Sequence, residues 1–171
     1  EQSAPQKGAY DMKLLVLSDS HGNVDNMVLA VERTHPDWIL HLGDVVRDGD
    51  ALHSRFPEIP FAQVSGNCDF AALEPPEKIL CLADKRIFMC HGHTLHVKEG
   101  LLSAMYTALE QKADIFLFGH THRIFSETRN GVAMLNPGSI GDARYPTYGT
   151  VEIIGETILL STVPLNGYPT K

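Results

Sequence analysis

Seven candidate metal donors fall in five short blocks of this chain, and each block begins where an apolar run stops. The blocks are Asp19-Ser20-His21, Gly43-Asp44, Gly66-Asn67-Cys68-Asp69, His91-Gly92-His93 and Gly119-His120-Thr121-His122. Their donors are Asp19, His21, Asp44, Asn67, His91, His120 and His122, a mixture of carboxylate, amide and imidazole. That mixture suits Mn, Fe or Zn better than Mg or Ca, whose shells are made of oxygen. A divalent ion so held can polarise an ester and acidify a water molecule. Each block alone also reads as a turn, since Gly-Asp and Gly-Asn are common turn dipeptides. The joint pattern carries the inference.

The elements that must position these donors are legible as short apolar runs at 14–17, 38–40, 61–64, 87–89 and 115–118. Runs of this kind read as buried strands. Donors at strand ends, followed by glycine-bearing turns, lie along one rim of a sheet, which is how an α/β protein builds a site. The blocks recur at near-even intervals, each long enough for one strand, a connection and a second strand. Helical spacing of Met27, Ala30 and Val31 predicts a helix over 23–34. A strand is expected over 37–42, a short helix around 51–56, and a hairpin pairing 77–82 with 86–90 through Ala83-Asp84-Lys85. The clearest helix spans 99–112, where Leu101, Leu102, Met105, Tyr106 and Leu109 form a stripe that reads as core. Beyond it come β runs at 132–135, 148–154 and 157–163, the last two joined by a tight turn at Gly155-Glu156. Alternating βα units followed by a meander point to a mixed α/β sandwich rather than a purely parallel sheet.

The totals bound the answer. A chain of 171 residues, 43% hydrophobic and 20% charged, fits one domain with its own core, taken as 12–171. Residues 1–11 are polar and precede Met12-Lys13, and read as a tag remnant or processed leader. A formal charge of −7 argues against general nucleic-acid binding, which needs a basic face. It leaves room for a small phosphorylated substrate, because bound ions supply local positive charge. No membrane-length apolar run occurs. Cys68, Cys81 and Cys90 are an odd set without CxxC spacing, which suits a reducing cytoplasm. A homo-oligomer is left open.

Together the five blocks resemble the calcineurin-like metallophosphoesterases, whose pattern runs D-x-H, G-D, G-N-H-[DE], H-G or G-H, then G-H-x-H. The resemblance implies a four-layer αββα sandwich of two mixed sheets, and a centre of two divalent ions. It assigns Asp19, His21 and His122 to one ion and Asn67, His91 and His120 to the other, with Asp44 bridging through its two oxygens. It further implies a bridging hydroxide that attacks phosphorus. Mn²⁺ is the first expectation for the metal, with Zn²⁺, Fe²⁺ or Ni²⁺ as alternatives. The two carboxylates offset only part of the charge of two divalent ions, and Asn67 adds none, so the centre stays Lewis acidic.

One position departs from the pattern. Where many members carry histidine after the asparagine, this chain has Cys68, a weak hydrogen-bond donor. The form Gly66-Asn67-Cys68-Asp69 resembles the small YfcE-type phosphodiesterase subgroup, as does Asn136-Pro137-Gly138-Ser139. That points to a phosphodiesterase, with Asp44, Asn67 and His91 acting through the metals and Cys68 and Asp69 as further catalytic candidates. His93 and Arg144 are candidate substrate contacts. Specificity is expected from loops such as 136–146. His35, His41, His53 and His96 read as structural or solvated, and Cys81 and Cys90 as core thiols. The rival reading is a non-catalytic scaffold of the same fold, like the retromer subunit that resembles this subgroup. It departs from the ligand pattern, whereas every ligand position is filled here.

Overall fold

A computed structural model describes residues 11–167. All but Asp11 of the expected leader lies outside them. The first strand, β1 (Met12–Leu17), alternates sides. Leu14 and Val16 face one core cluster and Leu15 and Leu17 another. All four are fully buried. A strand buried on both faces reads as a continuous apolar run, as the sequence does here. The helix α1 (Val24–Thr34) follows, capped by the Asn23 side chain, which accepts from the Asn26 amide at 3.1 Å. It ends where His35 turns left-handed at φ 48. Next come β2 (Trp38–His41), α2 (Val46–Arg55) and β3 (Phe61–Gln63). β1 to β3 run parallel.

The expected hairpin forms as β4 (Glu77–Leu82) and β5 (Lys85–Cys90). Ala83 and Asp84 turn it, both at positive φ. A 3₁₀ turn at His93–Leu95 leads to α3 (Leu102–Glu110) and β6 (Ile115–Leu117). Then β7 (Ile124–Arg129), β8 (Val132–Pro137), β9 (Thr147–Ile154) and β10 (Thr157–Pro164) complete the fold. The strands form two mixed five-stranded sheets, ordered β10-β9-β1-β2-β3 and β4-β5-β6-β8-β7.

Three apolar clusters define four layers. One fills the space between the sheets, with Leu14, Val16 and Leu40 against Ile87, Met89 and Leu117. A second joins Met27, Val31 and Leu52 of α1 and α2 to the outer face of the first sheet. The third seats Ala104 and Ala108 of α3 against Phe88 and Phe116 of the second. This is the αββα sandwich that the resemblance implied. No helix among the described residues is long and apolar enough to cross a membrane.

Several local expectations need correction. α2 begins at Val46, well before 51, because its cap comes from afar: Asp69 Oδ1 accepts the Val46 amide at 2.8 Å. α3 is shorter than 99–112, and of the expected stripe only Leu101 and Met105 pack against the core. Ala104 and Ala108 are its core residues, whereas Leu102 and Tyr106 are 63% and 59% exposed. Small residues let the helix approach the sheet closely, which leaves the larger stripe half outside. Cys81 is exposed, since β4 is an edge strand and that position points outward, while Cys90 is buried. Strand β7, Ile-Phe-Ser-Glu-Thr-Arg, is mostly exposed and lacks the apolar run that reveals the others.

The loops after β2 and β3 meet at Gly43, where φ is +95 and an added Cβ would lie 2.6 Å from the Gly66 amide nitrogen. Gly43→Ala is therefore expected to lower stability by about 2 kcal/mol, from positive-φ strain and the forced separation of the loops. Urea unfolding measures this. An unchanged midpoint would mean that the two loops tolerate separation.

Candidate metal centre

The donors gather at the strand ends of both sheets. Five of the seven, Asp19, His21, Asp44, His120 and His122, lie at positive φ, between 44 and 69. For a residue other than glycine this conformation is uncommon and costs about 1 kcal/mol or more, and such residues cluster at functional sites.

Two groups of donor atoms, each within 4.8 Å of one another, emerge: Asp19, His21 and His122, and Asp19, Asp44 and His91. In the first, His122 Nε2 lies 3.0 Å from Asp19 Oδ1 and 3.5 Å from His21 Nε2. This matches the trio assigned to the first ion. In the second, His91 Nε2 lies 3.5 Å from Asp44 Oδ2 and 3.1 Å from Asn67 Oδ1. His91 Nδ1 faces the Leu42 carbonyl at 2.8 Å, which fixes the ring and turns Nε2 to the centre. His120 stands beside this group, its ring 5.0 Å from that of His91. Its amide donates to Asp19 Oδ2 at 3.2 Å.

The sequence reading gives the joint role to Asp44; Asp19 is common to both of these groups, and Asp44 belongs to the second. Asp44 Oδ1 accepts the Cys68 amide at 3.0 Å, leaving Oδ2 toward His91. Although burial favours its neutral form, the His91 ring and the Cys68 amide hold the Asp44 carboxyl well below the usual carboxylate range. Burial opposes protonation of His91, yet Asp44 and Asp19 hold its pKa above the ordinary value. His120 is pushed down to about 4 by desolvation, with His91 and Lys98 adding to the shift. The donor set fits divalent ions: Asp19 and Asp44 are 0% and 3% exposed and side by side. Buried like charges at that distance demand a cation.

The other candidates fall into distinct places. Asp69 does not face the centre; its carboxylate accepts the Asp44 and Gly66 amides at 3.0 and 2.8 Å, besides that of Val46. It is a clasp between the loops that bear Asp44 and Asn67. Cys68 is exposed, and desolvation and Asp44 push its thiol pKa up, so it stays protonated. His93 is half-buried, with its ring 5.5 Å from His91 and 6.2 Å from His120. Its buried Nδ1 has no partner among the described residues. Arg144 is exposed on the loop between β8 and β9, where its amide donates to Asp142. That loop reaches the rim closely enough for His122 to act on the Asp142 carboxyl.

Sequence reasoning missed the residues that brace the donors. Ser18 Oγ donates to Asp19 Oδ2 at 2.5 Å, and Ser139 Oγ to the Asp19 carbonyl at 2.8 Å. Asp48 accepts Ser20 Oγ and the Gly22 amide, both at 2.7 Å, and so fixes the turn carrying His21. Asn136 Nδ2 donates to the Gly119 carbonyl and to Thr121 Oγ1, both at 3.0 Å, holding the turn of His120 and His122. His41 is structural, fully buried with Nε2 3.3 Å from Ser20 Oγ. Only the Asn136 loop left a signal, as part of the subgroup motif.

Because one carboxylate serves three amides, Asp69→Ala is expected to cost about 2–3 kcal/mol of stability. Asp69→Asn, which keeps a carbonyl oxygen, should cost less. Divalent-ion affinity should follow the same order, measured by calorimetry beside urea unfolding. Equal behaviour of both variants and the parent chain would remove the clasp.

Comparison with known proteins agrees with this geometry. Residues 12–156 match the calcineurin-like phosphoesterase superfamily domain. The chain is 39% identical over 132 residues to "Probable metallophosphoesterase YsnB" of Bacillus subtilis, covering 75% of each. It is 30% identical to phosphodiesterase YfcE of Escherichia coli K12, covering 91% of this chain and 93% of that protein. A crystal structure from Streptococcus pneumoniae, described as a predicted phosphoesterase, superposes with a TM-score of 0.77 at 28% identity, covering 95% of both. Shared sequence, shared sandwich and a rim of metal donors lead to one statement: the chain belongs to the calcineurin-like phosphoesterase superfamily.

Proposed function

We propose that this protein is a metal-dependent phosphodiesterase that hydrolyses a P–O bond of a small phosphodiester. The observation that carries the reading is the buried pair Asp19 and Asp44 among His21, His91, His122 and Asn67. One ion would be held by Asp19, His21 and His122, the other by Asn67, His91 and His120, with Asp44 between them. Mn²⁺ is the first candidate, and Zn²⁺, Fe²⁺ and Ni²⁺ fit the same donors. Bound ions supply Lewis acidity and an acidified water as nucleophile, and in pairs they clamp both oxygens of an in-line displacement.

The chain's own residues do the rest. Asp44 is held ionised by His91 and the Cys68 amide, ready to face two cations. Asn67 contributes an amide oxygen without adding negative charge, which favours an anionic phosphate at the rim. His93 offers a ring beside His91 and His120 for the phosphate oxygens. Cys68 stands where many relatives carry histidine, and a protonated, weakly donating thiol gives little help to a leaving alkoxide. Substrates with good leaving groups are therefore favoured. The homologue named phosphodiesterase supports the same choice of ester.

A non-catalytic scaffold of the same fold has no need of these donors, and it predicts no turnover. The test strips the protein of metal and returns Mn, Zn, Fe, Ni or Mg singly. Turnover of bis(p-nitrophenyl) phosphate should exceed that of p-nitrophenyl phosphate. Cys68→Ser should keep much of the diester activity, with no phosphate adduct on the parent chain's Cys68. No turnover with any metal favours the scaffold; a monoester preference overturns the choice of ester. Loss of all turnover in the serine variant with metal still bound, or a phosphate adduct on Cys68, would overturn water as the attacking group.

A further inference from the structure

A cavity of about 560 Å³ adjoins the turn that carries His120 and His122, with Thr121 in its wall. Leu101, Ile124 and Phe125 give it apolar surface, and Lys98 and Arg123 are its charged lining. Neither cation has a hydrogen bond or ion pair from its side chain among the described residues, and no carboxylate lines the cavity. In a chain of net charge −7, two unpaired cations beside one metal-binding turn are conspicuous.

The backbone beneath the two cations is tied to the turns that carry the donors. Arg123 directly follows His122 in sequence. Lys98 follows Val97, which is 4% exposed and packs so closely on Gly92 that an added Cβ there would meet it at 2.7 Å. The Val97 amide also donates to the Gly92 carbonyl. The segment that carries Lys98 is thus pinned to the turn between His91 and His93.

We infer that this cavity is a substrate subsite that holds a second anionic group, borne on an apolar or planar moiety of one ester arm. Lys98 and Arg123 would take the anion, and the Leu101, Ile124 and Phe125 surface the moiety. The inference rests on the phosphodiesterase reading and narrows it to diesters that carry an additional charged group. Two cations are too few for a nucleic-acid face. They suit a single phosphate, for which arginine supplies paired donors and lysine a point charge.

The test compares binding of thymidine 5′-monophosphate and thymidine 3′,5′-bisphosphate to the metal-loaded protein by calorimetry. The parent chain should bind the bisphosphate about tenfold more tightly, the scale of charge-assisted contacts to one anion. In Lys98→Gln/Arg123→Gln that ratio should fall close to one. Both residues are exposed, so the double variant should fold. A ratio of one in the parent chain, or a ratio that survives both substitutions, overturns the subsite. Preferential binding without turnover of any diester would instead strike the proposed reaction while leaving the cation pair in place.

Discussion

Two aspartate carboxylates buried side by side set the constraint on which the rest of this structure depends. Asp19 and Asp44 are taken almost wholly out of water, and their oxygens lie within one small group with His91. Desolvating one carboxylate is costly, and desolvating two together is worse unless positive charge is supplied. In the chain itself the supply is the His91 ring, 3.5 Å from Asp44 and 3.8 Å from Asp19, with its pKa raised accordingly. A divalent ion does the same more strongly. It would displace the proton from His91 and turn that ring from counter-ion into ligand.

Holding such a group requires a scaffold that cannot relax. The sandwich provides it by bringing strand ends from both sheets to one rim and turning the backbone left-handed at five donors. That strain is held by side chains that never face the centre. Asp69 ties the Asp44 and Asn67 loops, Asp48 fixes the turn of His21, and Asn136 fixes the turn of His120 and His122. Ser18 and Ser139 pin Asp19 on both sides. A hydrogen-bonding shell of this kind orients ligands before any ion arrives.

How much of this was legible in the sequence follows from the range of each interaction. Strands such as β1 and β6 announced themselves because they are buried on both faces, and their apolar runs mark where the donors begin. The hairpin of β4 and β5 was equally plain, since its turn is local. What escaped was set by distant partners. The start of α2 depends on Asp69, and the exposed β7 has no apolar signature, being paired through its backbone to β8. α3 is legible only in part, because Leu101 and Met105 of its apolar stripe pack inward while Leu102 and Tyr106 stay exposed. The donors are readable as types at strand ends, but Asp69 reads as a catalytic candidate, and its clasp appears only in three dimensions. Nothing in sequence distinguishes an aspartate that faces a site from one that caps three amides behind it.

The central claim is that this rim holds two ions with Asp44 between them. Anomalous diffraction from crystals soaked in Mn²⁺, recorded above and below the manganese edge, addresses it directly. The account predicts two peaks per chain, one among Asp19, His21 and His122 and one among Asn67, His91 and His120, with Asp44 touching both. A single peak, or a second one that leaves Asp44 uninvolved, would contradict it.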